Sequence, residues 1–152
     1  NKQVFDRICR PKWNMAAWDK LEQTIDLLPS LDTRIVARHT LIKGENMFGH
    51  EAEYAALDER AEPDWIEAKG YVHVGHSQNN HVIDDMPAHT EVMEFAHKLA
   101  QLVGREVLSD RRESRVALIG KEMIPVTLPT ATREFPKDLG IAPPQNYKLP
   151  LA

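Results

Sequence analysis

The sequence predicts an α/β fold: parallel strands joined by crossover helices, finished by a β-hairpin. Three observations predict it. First, two runs rich in apolar and β-branched residues, RIVARHTLIK (34–43) and WIEAKGYVHV (65–74), read as strands. Second, each is flanked by a segment of helical spacing, the pattern of a βαβ unit. Third, two short apolar runs, REVLS (105–109) and RVALIG (115–120), flank the charged turn DRRES (110–114). Right-handed crossovers of this kind build an open doubly wound sheet or a barrel. Two parallel strands cannot close a barrel, so barrel material implies strands that precede this segment.

The elements follow in order. Asn14 suits the N-cap of a helix whose Trp18, Leu21, Ile25 and Leu28 share one face, with Pro29 ending it. After the first strand, GENMFG (44–49) is a loop, and residues 50–61 form a second helix with Tyr54, Leu57 and Ala61 in phase. Pro63-Asp64 turns the chain into the second strand. Residues 84–87 open a third helix, with Pro87 at its first turn. Val92, Phe95, Ala96, Leu99 and Val103 then recur at spacings of three and four, and Gly104 stops it. Six of the ten prolines lie after residue 121, where periodicity ends, so 122–152 reads as an extended or disordered tail and 1–121 as the folded part.

The chain has 152 residues, 42% hydrophobic and 28% charged, the composition of a globular domain. No apolar run approaches the roughly 20 residues of a membrane helix. Net charge is −4, so any nucleic-acid contact must be local. The one cysteine, Cys9, excludes an internal disulfide and fits a cytoplasmic location. The histidines at 73, 76, 81 and 89 match no compact metal-ligand spacing.

In both α/β architectures ligands gather at the carboxyl ends of parallel strands. Both strands become more polar in that direction. The first ends in Arg38, Thr40, Lys43, Glu45 and Asn46; the second in Glu67, Lys69, His73, His76, Ser77 and Asn79. Along the second strand Ile66, Ala68, Gly70, Val72 and Val74 form one apolar face, and Trp65, Glu67, Lys69, Tyr71 and His73 the other. Enclosed charges need partners or a ligand. Glu67 and Lys69 are therefore the catalytic candidates, with Lys69 suited to an anion or Schiff-base contact; an ordinary surface pair is the alternative. Arg111, Arg112 and Arg115 form a turn able to contact phosphates, or a solvated one.

RHTLIKGEN (38–46), PDWIEAKGYVHVGHS (63–77), MPAHTEVMEFA (86–96) and ESRVALI (113–119), in this order and spacing, resemble the C-terminal half of the tRNA 4-demethylwyosine synthases. These are radical S-adenosylmethionine enzymes of wyosine biosynthesis, and the archaeal type is most similar. The resemblance implies the C-terminal part of a radical-enzyme (βα) partial barrel. It implies a tRNA-modifying lyase that condenses pyruvate with N1-methylguanosine in tRNA-Phe, using S-adenosylmethionine and 4Fe-4S clusters. The family's cluster cysteines lie in its N-terminal half, so the chain reads as a fragment, inactive alone, that works with that half.

The resemblance further implies that Lys43, Asn46, His73 and Ser77 bind S-adenosylmethionine. Gln78, Asn79, Arg111, Arg112 and Arg115 would then contact tRNA. Gln78 and Asn80 stand where archaeal relatives often carry basic residues. A non-catalytic tRNA-binding module and a metal-free barrel lyase using Lys69 are the rival readings.

Overall fold

A computed structural model describes residues 1–11 and 16–123 of the chain. Two helices, α1 (Lys2–Cys9) and α2 (Ala17–Leu27), lead into β1 (Val36–Leu41). Then come α3 (Glu51–Ala61), β2 (Trp65–Gly70), α4 (His89–Leu102), β3 (Glu106–Arg111) and β4 (Val116–Gly120). Asn1 caps α1, its Oδ1 accepting from the Val4 N–H at 2.9 Å. The cap expected at Asn14 and the tail from residue 124 lie outside the described residues.

The four strands form one sheet in the order β1-β2-β4-β3. β1 and β2 are parallel, as a βαβ unit requires. β4 adds antiparallel to β2, and β3 pairs with β4 across the hairpin. The hairpin is thus not an appendage: its second strand extends the parallel pair.

Helices α3 and α4 cover one face of the sheet. Val92, Phe95, Ala96, Leu99 and Ala100 of α4 are buried against Leu41, Ile66, Ala68, Ala117 and Ile119. A stripe at spacings of three and four meets strands of period two, so each element offers a single apolar face. Gly70 permits the close approach of the α4 start: a Cβ there would meet Arg115 Cβ and Pro87 Cγ at 3.2 Å and Val92 Cγ2 at 3.3 Å.

Two expectations are corrected. The alternation of the second strand does not continue past Gly70. Beyond it Tyr71 is buried, whereas Val72 is 38% and Val74 61% exposed. The Tyr71 N–H still donates to Leu41 O at 2.8 Å, one bond beyond the β1–β2 register, while the pairing of β2 with β4 ends at Lys69. The third helix starts at His89 rather than near Asp84; a short 3-10 turn, Ile83–Asp85, precedes it, and Pro87 is a buried residue ahead of the helix.

Candidate functional site

The other face of the sheet has no helix over it among the described residues. The register aligns Val36, Arg38 and Thr40 of β1 with Trp65, Glu67 and Lys69 of β2. Val116 and Leu118 of β4 continue the rows from Lys69 and Glu67. Glu67 and Lys69 do not pair with each other. Glu67 accepts from Arg38 Nε on the neighbouring strand, and Lys69 Nζ donates to Ser114 O at 3.3 Å. Lys69 therefore has no carboxylate partner among the described residues.

The loops after β1 and β2 lie at the carboxyl end of this face. Because β4 is antiparallel to β2, with Val116 opposite Lys69, the turn at 112–115 opens at that same end. The Gly70 N–H donates to Arg115 O at 2.8 Å, which seats the turn on the end of β2. His89 Nε2 lies 2.7 Å from Asp110 Oδ2, tying the start of α4 to the hairpin. Residues 73–81 and Arg111, Arg112 and Arg115, expected from sequence to serve one substrate, thus share one rim.

Hydrogen bonding sorts the expected contacts. Asn46 is buried, its Oδ1 accepting from Ile42 N–H at 2.7 Å and its Nδ2 donating to Thr40 O at 2.9 Å, so it closes the loop that leaves β1. Ser77 Oγ donates to Val74 O at 2.6 Å and accepts from Tyr71 OH at 2.8 Å. His73 Nε2 donates to His81 O at 2.8 Å, and Gln78 Nε2 donates to His73 O at 3.3 Å. Lys43 Nζ sits 2.8 Å from Glu91 Oε1. Each of the four side chains expected on S-adenosylmethionine is thus engaged within the fold. Asn79, Arg111 and Arg112 are exposed.

Lys43 and the helix start act together on Glu91. The hydrogen bond from Lys43, and then that from the Ala88 N–H at 2.8 Å, hold the Glu91 carboxyl below the usual glutamate range. On the helix side of β1, His39 Nε2 lies 2.9 Å from both oxygens of Asp58, which is 3% exposed. Tyr54 stacks on His39 with centroids 4.5 Å apart, and burial, then the nearby Asp58 carboxylate, push its hydroxyl well above the usual tyrosine range. These groups border an apolar cleft of about 460 Å³ between α1, α2, β1 and α3, behind the polar face.

Sequence reasoning missed two parts of the rim. Tyr71, expected on the polar face, is buried with its ring 5.3 Å from that of His81, and the 73–81 loop is built round it. The end of α1 also reaches this loop: Arg10 donates to Asn80 Oδ1 at 2.6 Å, and Arg7 pairs with Glu45 at 2.7 Å. Nothing local in NKQVFDRICR signals a partner 70 residues away.

Iron–sulfur chemistry finds no support in the donor set. A four-iron cluster takes several thiolates, and the chain has Cys9 alone, exposed, its thiol pushed up by partial burial and by Asp6. Among the described residues no three His, Cys, Asp or Glu side chains are grouped to hold a metal ion. No described helix is long and apolar enough to cross a membrane.

Comparison with known proteins supplies the family. The wyosine base formation family matches residues 60–121, the stretch that carries β2, the rim loop, α4 and the hairpin. Over 106 residues the chain is 41% identical to the S-adenosyl-L-methionine-dependent tRNA 4-demethylwyosine synthase of Pyrococcus abyssi, covering 69% of this chain and 31% of that protein. It is 35% identical over 118 residues to the synthase of Methanocaldococcus jannaschii, covering 78% of this chain and 36% of that one. The chain spans about a third of the length of these relatives, and it matches their C-terminal part. Among solved structures, TYW1 with a lysine-pyruvate adduct bound superposes with a TM-score of 0.69 at 30% identity, covering 78% of this chain and 37% of that one. An archaeal TYW1 gives 0.60 at 26% identity, covering 78% and 35%.

Proposed function

We propose that this chain is the C-terminal part of a tRNA 4-demethylwyosine synthase, forming one wall and the rim of the site where N1-methylguanosine of tRNA-Phe is condensed with pyruvate. The observation that supports it most is the extent of the family match. The family match at 60–121 contains nearly all of the polar face of β2 and the rim above it. In this reading the sheet is the last portion of a radical-enzyme barrel, and its open face looks into the interior. The wyosine base formation region runs to residue 121, and the tail lies beyond it. S-adenosylmethionine and the 4Fe-4S clusters are held mainly by the N-terminal half of the same cytoplasmic enzyme, which carries the cysteines this chain lacks.

The chain's own residues then have separate tasks. Lys69, bonded among the described residues only to the Ser114 carbonyl, meets the carboxylate of an anionic substrate. Glu67, held by Arg38, lines the same face beside it. Gln78 and Asn79 read the edge of a nucleotide turned out of its stack, as chemistry on a base requires. Arg111, Arg112 and Arg115 take phosphates.

The test joins this chain to the iron–sulfur half of a relative, with tRNA-Phe bearing N1-methylguanosine, pyruvate and S-adenosylmethionine, and detects 4-demethylwyosine by mass spectrometry. Product from the joined protein and none from the chain alone is the expected result. Tight tRNA binding with no product from the joined protein would favour the second reading, a non-catalytic tRNA-binding module, which the single cysteine supports.

A further inference from the structure

The polar cleft at the junction of α1 and the rim loop has no place in the reaction as assigned above. It is about 280 Å³ and is walled by Arg7, Arg10, Glu45, Tyr71, Ser77, Asn80 and His81, over Ile8 and Ile42. Its cations are not equivalent. Arg7 is neutralised by Glu45. His81 Nδ1 lies 3.4 Å from Asp85 Oδ2. Among the described residues Arg10 is bonded only to neutral groups: its Nη1 donates to Asn80 Oδ1 at 2.6 Å and its Nε to Arg7 O at 3.3 Å. Arg7, Arg38 and Arg60 each find a carboxylate. Arg10 is instead held by an amide at the lip of a polar hollow, with guanidinium N–H groups to spare.

The wider charge pattern points the same way. Among the described residues, nine cations have no carboxylate in an ion pair; Lys20, Arg34, Arg105 and Lys121 lie elsewhere, whereas Arg10, Lys69, Arg111, Arg112 and Arg115 stand at the carboxyl end of β1 and β2. Arg10 reaches residue 80 of the rim loop from one side. The arginine turn is seated on the other side, on Gly70 at the end of β2.

We propose that the cleft between the end of α1 and the rim loop is a second backbone-phosphate site for RNA, with Arg10 as its free cation, so that the strand is gripped on both sides of the loop. A phosphodiester fits because it brings a charge that Arg10 lacks and oxygens for the donors that remain free. The proposal rests on the function given above and adds to it a contact outside the matched family region, since Arg10 precedes residue 60.

The experiment titrates the 152-residue chain with a labelled anticodon stem-loop RNA at several salt concentrations, and repeats it for Arg10→Ala, Arg10→Lys, Asn80→Asp and the double variant Arg111→Ala with Arg112→Ala. Arg10→Ala is expected to weaken binding several-fold and to lower the slope of log affinity on log salt by about 0.7–0.9, one phosphate's worth. Arg10→Lys keeps the slope. Asn80→Asp removes no cation but hands Arg10 a carboxylate, so it lowers the slope as Arg10→Ala does. Circular dichroism confirms that each variant keeps its helices, and Asn80→Asp carries the test if Arg10→Ala does not. A slope unchanged in both Arg10→Ala and Asn80→Asp, with a lowered slope in the arginine-turn variant, overturns this site and leaves the proposed function standing. Absence of salt-dependent RNA binding by the unmodified chain overturns both.

Discussion

The two faces of the sheet use the same strands to opposite ends. On the covered face, Leu41, Ile66, Ala68, Ala117 and Ile119 are sealed under α3 and α4, and the polar side chain there, His39, is matched to buried Asp58. On the open face, Arg38, Glu67 and Lys69 stand in adjoining rows, with Lys69 offered only a carbonyl. Since alternate residues of one strand serve both faces, the contrast is not one of local propensity. It follows from what covers each face. A covered face must satisfy every polar group internally, whereas an open face can leave charge for a substrate to meet.

The contrast is broken most severely in the covered layer. Phe95→Ala removes a fully buried ring from the centre of α4 and should cost about 3–5 kcal/mol. Chemical denaturation of the chain measures it; a loss under about 1 kcal/mol would mean that the covered face is not the core. Asp58→Ala is next. It leaves His39 half enclosed against Tyr54 without its partner and should cost about 1–3 kcal/mol, the penalty of an unsatisfied buried polar group. A variant as stable as the parent would show that water already serves His39.

Open-face changes should spare stability and affect chemistry. Lys69→Ala should leave the denaturation midpoint nearly unchanged, yet reduce turnover of the joined enzyme at least about tenfold, about 1.4 kcal/mol of transition-state stabilisation. Wild-type turnover would return Lys69 to the status of a surface residue. The smallest effect belongs to the boundary between the faces. Glu91 has its carboxyl held below the usual range by Lys43 and the Ala88 N–H, so the folded pKa is lower than the unfolded one. Its contribution is complete above the unfolded value and lost as pH falls through the folded value. Glu91→Gln should therefore lower stability at neutral pH and flatten the acid limb of the pH–stability curve. Parallel curves for the two proteins would remove the Lys43–Glu91 contact from the account.

Much of this was readable from local pattern. The stripe Val92, Phe95, Ala96, Leu99 specifies α4 because a helix repeats every 3.6 residues, and Gly104, at φ 64, ends it because that backbone excludes most side chains. The alternation from Ile66 to Gly70 marks β2 for the same kind of reason. The polarity of residues after each strand pointed to the rim, since parallel strands place their loops together. What could not be read was which rim side chains remain free. Asn46 and Ser77 look like ligand groups in the sequence, but both are absorbed in holding their own loops. Short polar residues serve loop closure and ligand contact equally well, and only the partner tells which.

By itself, then, the sequence determined the elements, the apolar stripes and the strand ends that gather polar residues, because each depends on neighbours within a few positions. Only the tertiary structure decided three things. It set β4 beside β2, which carries the 112–115 turn to the same end as the rim loop. It buried Tyr71, whose N–H donates to Leu41 O, and exposed Val72 and Val74. It brought Arg10 to Asn80. Each of these joins residues about 30 to 70 positions apart, where pairing is selected by the packing of the whole sheet and helix layer and no periodicity within a segment encodes it.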